Sequence, residues 1–299
     1  MKLTKLFQDE LNAFTDHCRS LGLSPPPQSS SKTSSSAASP TELTARQWRS
    51  QALDSNAATD VRSLALARLL DHTLLKADAT TSQIQAACQE ALSFGFAGVC
   101  TNSAWTGLVA QRLASKTPAP GPAVPPVPIA VVGFPLGAMH TKAKCEETRV
   151  AVEEGAQEID MVLAVGWLKE QKFEAVFQDI AAVVNQCGPN VPTKLIIETA
   201  LLNDVEKIRA CVLGVWAGVK FVKTSTGFAA NGATVSDVAL MRNVVGDQVG
   251  VKASGGIRTA ADALAMLQAG ATRLGVSSSV AILNELRTGT SSAGSSCSY

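Results

Sequence analysis

From about residue 62 the hydrophobic pattern of this chain switches period repeatedly. Short β-rich runs lie at Leu69–Leu74, Ala97–Thr101, Ile129–Phe134, Glu158–Val165, Lys194–Thr199, Phe221–Thr226, Gly250–Ala253 and Arg273–Val276. Between them, three- and four-residue spacing predicts helices over Thr81–Phe94, Glu147–Glu154, Phe173–Cys187, Leu202–Leu213, Val235–Val245 and Thr259–Ala269, with a final one over Ser279–Leu286. Strands that alternate with helices pair in parallel, and eight such units count to a (β/α)8, or TIM, barrel of ordinary size. A doubly wound open sheet is the competing α/β architecture. It needs a glycine-rich turn after its first strand, and the turn after Leu74 has no glycine. The closed barrel is the expected fold.

The ends of the chain read differently. Residues 1–22 place Leu3, Leu6, Phe7, Leu11 and Phe14 at helical spacing. A run from Ser24 through three prolines and repeated serines to about Pro40 cannot bury enough apolar surface to fold and reads as a flexible linker. Together these make a disordered or partly helical N-terminal extension over 1–60, ahead of a barrel over 61–287 and a flexible Gly/Ser-rich tail over 288–299. Six of the thirteen prolines fall within 118–128, which reads as a surface loop.

Composition narrows the function class. Of 299 residues, 46% are hydrophobic and 17% charged, so the core is large and charge is scarce. A net charge of +1 gives no electrostatic footprint for nucleic acid. Seven scattered cysteines without a C-x-x-C pair read as free thiols of a reducing compartment. No apolar run reaches a membrane span, and the first ten residues carry acids and no apolar signal core. A cytoplasmic protein is expected.

Scarce charges inside apolar runs are therefore informative. Lys223 ends Phe221-Val222-Lys223, and Lys252 lies in Val251-Lys252-Ala253, about one strand–helix unit later. That spacing places two amines on adjacent parallel strands. Burial lowers a lysine's pKa, and a second ammonium ~6 Å away adds roughly 3 kcal/mol at an effective dielectric of ~20. One of the two is brought from ~10.4 towards neutrality, where it becomes a nucleophile for carbonyls. Other polar groups near strand ends are Asp71 and Thr73, Cys100 and Asn102, Asp160, Glu198, Thr224–Thr226 and Ser254. Asp160, among apolar neighbours in Glu158-Ile159-Asp160-Met161-Val162, requires a cation across the barrel. Taken alone, Asp160 and Glu198 read equally well as members of a structural ion pair.

Small-residue loops complete the picture. Gly227 closes the sixth strand's turn, Gly255 and Gly256 follow the seventh, and Ser277, Ser278 and Ser279 follow the eighth. Barrels bind phosphate on backbone N–H groups in this position. Three histidines, none paired at helical spacing, give metal chemistry little support; His72 reads as a structural hydrogen-bonding residue.

Phe221-Val222-Lys223-Thr224-Ser225-Thr226-Gly227, Val251-Lys252-Ala253-Ser254-Gly255-Gly256-Ile257-Arg258-Thr259, Glu158-Ile159-Asp160-Met161-Val162, Asp71-His72-Thr73-Leu74 and Ile196-Ile197-Glu198-Thr199 resemble, in order and spacing, the signatures of deoxyribose-phosphate aldolases. The resemblance covers roughly residues 62–287. It implies a class I aldolase, with no metal or other cofactor, that reversibly cleaves 2-deoxy-D-ribose 5-phosphate to D-glyceraldehyde 3-phosphate and acetaldehyde in deoxyribonucleotide catabolism. Lys223 then forms the Schiff base, Lys252 depresses its pKa and shuttles protons, and Asp160 exchanges protons through water. Gly227, Gly255, Gly256, Ser277, Ser278 and Thr226 hold the phosphate, with Asp71 and Cys100 as auxiliary groups. Some members of the family end in a mobile tail whose tyrosine assists proton transfer, which makes Tyr299 a further candidate. The implied partner is a small phosphosugar, with neither nucleic acid nor membrane, and a homodimer is the candidate assembly. The chain departs from the family at Thr101-Asn102-Ser103, where valine, asparagine and proline are usual, and at Phe228, where some members carry lysine. Another Schiff-base aldolase or transaldolase, a PLP enzyme and a phosphosugar-binding barrel without turnover are the alternatives.

Overall fold

The computed structural model describes residues 5–25, 40–114 and 124–290. Within them eight parallel strands close into a barrel in chain order, β1 to β8, with β8 hydrogen-bonded back to β1. The strands are β1 Leu70–Leu74, β2 Gly98–Asn102, β3 Val127–Val132, β4 Glu158–Val162, β5 Thr193–Ile196, β6 Phe221–Lys223, β7 Gly250–Ser254 and β8 Arg273–Val276. The helices are α1 Lys5–Ser20, α2 Pro40–Leu53, α3 Thr59–Ala67, α4 Thr81–Phe94, α5 Thr106–Ala114, α6 Thr141–Glu153, α7 Val165–Lys169, α8 Phe173–Cys187, α9 Asp204–Ala217, α10 Val235–Val245, α11 Ala260–Ala269 and α12 Ser279–Thr288. The (β/α)8 reading holds. No described helix is long and apolar enough to cross a membrane.

Local chemistry sets the boundaries. Asn203 and Glu206 cap α9 reciprocally, each side chain accepting from the other's N–H at 2.9 Å. Thr259 and Asp262 do the same for α11 at 3.0 Å. Strands β4, β5 and β6 each stop three residues before the corresponding runs of the sequence do. At the carboxyl mouth the regular pairing ends with a last few backbone bonds, such as Thr224 N to the Lys252 carbonyl at 3.0 Å, and Ser225–Gly227 forms a loop of the mouth.

The main core lies between the strands and the helical ring, with Leu66, Ile84, Phe96, Ile159, Leu195, Val222, Leu274 and Ile282 fully buried. A smaller apolar cluster of Leu75, Cys100, Ile129 and Val131, with Phe134 against it, is separate from that core and belongs to the β1–β3 side.

The N-terminal extension packs on the outside of the barrel. From α1, Phe14 and Cys18 are buried against the main core. The Phe14 and Phe173 rings meet edge to face at 4.8 Å, and the Arg209 guanidinium lies 5.5 Å from each. Glu10 pairs with Arg209 at 2.8 Å. Helix α2, which the serine-rich composition does not announce, packs on α3 and α11, and Arg49 Nε donates to the Leu267 carbonyl at 2.7 Å. Residues 26–39 of the expected linker, 118–123 of the expected proline loop and the tail from 291 to Tyr299 lie outside the described residues. Phe14→Ala is expected to lower stability by about 3 kcal/mol, the low end for a buried phenylalanine, read from the urea midpoint; an unchanged midpoint would mean that α1 contributes nothing by docking.

Candidate active site

The register of the barrel brings the two lysines side by side: Lys223 on β6 pairs directly with Lys252 on β7. Strand alternation turns both inward, and both side chains are almost wholly buried. Between them stands Asp160, on β4. Its Oδ2 receives Lys223 Nζ at 2.9 Å and Lys252 Nζ at 2.8 Å, while its Oδ1 receives Lys194 Nζ at 2.5 Å. Lys252 also pairs with Asp71 at 2.5 Å, and Lys194 with Glu158 at 2.6 Å. Arg273, from the start of β8, joins Asp71 at 2.7 Å and Glu158 at 3.3 Å. Four cations therefore share three carboxylates, and the network is one negative charge short.

The shortage falls on Lys223. Lys252 and Lys194 each touch two carboxylates, whereas Lys223 touches only the one that all three lysines share. Burial lowers the pKa of every lysine here. For Lys252, Asp160 and Asp71 outweigh burial and hold its pKa above the ordinary value. Lys194 is held up in the same way by Asp160 and Glu158. For Lys223, burial and the field of Lys252 outweigh Asp160, so its pKa lies below the ordinary lysine value. The sequence reading expects one depressed lysine; the geometry selects which, and burial is the leading cause.

The carboxylates respond in the opposite sense. Burial alone would raise Asp160, but Lys194, Lys223 and Lys252 hold it well below the usual carboxylate range. Burial likewise opposes ionisation of Asp71, and Arg273 and Lys252 bring it down to about 2. Because both folded-state values lie below the unfolded ones, their stabilising contribution is complete above the unfolded pKa and is lost as pH falls towards the folded one. The urea midpoint is therefore expected to hold from neutral pH to about pH 5 and to fall steeply between about 4 and 2. A midpoint flat across that interval would contradict the network. Cys100, on β2, faces the same interior, and burial pushes its thiol up to about 11, so it is neutral and apolar in effect.

The loops after β6, β7 and β8 converge beside the lysines. Gly227, Gly255 and Gly256 all take positive φ, at +90°, +82° and +77°, a conformation that turns successive N–H groups towards one side. The first two loops interlock: Ser254 Oγ donates to the Ser225 carbonyl at 2.6 Å, and Ala233 N donates to the carbonyls of Ser254 and Gly255. Gly232 is required by this contact, since a Cβ there would stand 2.1 Å from the Gly255 carbonyl oxygen. Ser277 and Ser278 lead into the first turn of α12. Gly275 leaves room for Lys252, whose Cε would lie 2.9 Å from a Cβ at that position.

Not every candidate joins the cluster. Thr226 commits its N–H and hydroxyl to Glu198, and Glu198 touches none of the lysines. His72 points out of the barrel, held between Glu90 at 2.7 Å and the buried Ser279 hydroxyl at 3.0 Å. Lys194 and Arg273 enter the sequence reading only as the starts of strand runs, and Gly232 does not enter it. A signal for the first existed: Lys194 alternates with Ile196 along β5 and pairs in register with Asp160.

A family model for DeoC/LacD family aldolases matches residues 65–285. A deoxyribose-phosphate aldolase of Halalkalibacterium halodurans is 50% identical over 223 residues, covering 74% of this chain and 96% of that protein. The chain belongs to the DeoC/LacD family of aldolases. One from Carboxydothermus hydrogenoformans, also a deoxyribose-phosphate aldolase, is 49% identical over 77% of this aldolase and 98% of its own length. The tetrameric deoxyribose phosphate aldolase structure from Aeropyrum pernix superposes with a TM-score of 0.69 at 29% identity, covering 82% of this chain and 99% of that one. Helices α1 and α2 lie before the region that the family model matches.

Proposed function

We propose that this aldolase cleaves 2-deoxy-D-ribose 5-phosphate reversibly to D-glyceraldehyde 3-phosphate and acetaldehyde through a Schiff base on Lys223. The observation that carries the reading is the charge shortage: among the four cations of the network, Lys223 is the one left undercompensated. Its neutral amine adds to the C1 aldehyde of the open-chain sugar, and loss of water gives a protonated imine. The C3 hydroxyl then gives up a proton, the C2–C3 bond breaks, and its electron pair passes into the imine as an enamine. Glyceraldehyde 3-phosphate departs. Protonation of C2 and hydrolysis of the imine release acetaldehyde and restore the amine.

Asp160, through water, and Lys252 are the groups that exchange those protons in this reading, Asp160 as the acceptor and Lys252 as the donor. The glycine turns after β6 and β7 and the start of α12 receive the phosphate, and the apolar Leu75, Cys100 and Val131 wall receives the carbon chain. In this reading the protein serves deoxyribose phosphate catabolism in the cytoplasm.

Incubation with 2-deoxyribose 5-phosphate, with both aldehydes measured, tests the activity. Equimolar release of the two products is expected. Tight binding without either product would favour a phosphosugar-binding barrel, and cleavage of ketose phosphates alone would favour another Schiff-base aldolase.

A further inference from the structure

We propose that Glu198 is a positioning residue that sets the affinity of the β6–α10 loop for the phosphate end of a substrate. The inference rests on the phosphate assignment made above and on no feature of the lysine chemistry.

Glu198 lies two residues past the end of β5, is only 4% exposed, and takes a left-handed backbone, φ +54° and ψ +69°. The other non-glycine residue with positive φ among those described is Gln171, which is exposed. A buried glutamate in that conformation is strained, and such strain persists only where the surroundings enforce it. The ladder explains how it is held. Ile197 N donates to the Lys223 carbonyl at 3.0 Å and Thr199 N donates to the Thr224 carbonyl at 2.9 Å. Two steps along one chain thus match one step along the other, so Glu198 is the extra residue of a bulge, a device that re-aims a side chain.

The side chain is re-aimed onto the next loop. Its Oε2 accepts from Thr226 N at 3.2 Å and from the Thr226 hydroxyl. That hydroxyl oxygen accepts in turn from Phe228 N at 3.1 Å. One carboxylate oxygen therefore fixes the residues on both sides of Gly227, the turn offered to the anion. The other oxygen, Oε1, is buried with no hydrogen-bond partner among the described residues. A strained backbone and an unsatisfied buried oxygen are both costly, and neither is needed to close the barrel.

Binding of 2-deoxyribitol 5-phosphate, which has no carbonyl to condense with a lysine, tests the proposal by titration calorimetry. Glu198→Ala is expected to weaken binding about tenfold, the effect of losing roughly one charge-assisted hydrogen bond. Glu198→Gln, which keeps an acceptor in place, is expected to stay within about threefold of wild type. Thr226→Val is expected to reproduce the loss, and the double variant to add little to either single one, as coupled partners do. In turnover by Glu198→Ala, KM for the phosphorylated sugar rises while kcat holds.

Unchanged binding in Glu198→Ala would overturn the proposal, and so would multiplicative losses in the double variant. Tighter binding, the result of removing a nearby negative charge alone, would overturn it as well. No binding to wild type would remove the phosphate assignment and this inference with it. Binding that follows the expected pattern without cleavage of the sugar phosphate would leave this inference standing and remove the proposed activity.

Discussion

Asp160→Asn is expected to lower turnover by about a thousandfold, within the range that positioned acid–base groups contribute. The carboxylate is the hub of the site, with three lysine amines at 2.5, 2.8 and 2.9 Å. An asparagine there still fills the space but supplies one neutral acceptor, and its amide turns N–H groups towards ammonium ions. Lys194 keeps Glu158 and Lys252 keeps Asp71. Lys223 loses the carboxylate it shares with them, so its pKa falls further. The amine remains able to form an imine, and the proton transfers that follow lose their acceptor. Breaking a buried ion network costs roughly 3 kcal/mol or more, reduced here to the extent that Lys223 discharges. Steady-state kcat and the urea midpoint check both parts. Turnover within tenfold of wild type would show that Asp160 does not handle the protons.

Lys252→Leu is expected to remove at least about 99% of kcat/KM while the fold survives. Charge balance again decides the outcome. With Lys252 gone, three cations face three carboxylates, and the shortage that depresses Lys223 disappears. Asp71 retains Arg273 at 2.7 Å, and Asp160 retains Lys194 and Lys223, so no carboxylate is left bare. Lys223 loses the ammonium field that lowers its pKa and stays protonated at neutral pH. The rising limb of the pH profile of kcat/KM should therefore move to higher pH than in wild type, with partial recovery of rate in alkali. Near-normal rates at neutral pH, or a limb that does not move, would contradict the assigned role.

The fold and the heart of the site were legible because both depend on patterns that sequence displays directly. Alternation of period marks eight units, and Lys223, Lys252 and Asp160 stand out because charged residues are rare in apolar strand runs. Arg273 and Lys194 escaped notice because each sits at the start of its strand, whereas the reading concentrates on carboxyl ends. Their long side chains nevertheless reach the shared carboxylates. Glu198 shows a different limit. Its position at the end of an apolar run suggests an inward acid, but the extra residue in the β5–β6 ladder turns it onto Thr226. A bulge leaves no mark in hydrophobic periodicity. Helix α2 is hidden for a third reason: it is stabilised by packing on α3 and α11, and its own sequence carries only a weak apolar face.

The central claim is that Lys223 is the amine that attacks the sugar. Borohydride reduction in the presence of 2-deoxyribose 5-phosphate, followed by peptide mass mapping, tests it most directly. The account predicts a stable adduct on the peptide that contains Lys223, and none on those containing Lys194 or Lys252. An adduct on either of those lysines, or no adduct while the protein still binds the sugar phosphate, would contradict it.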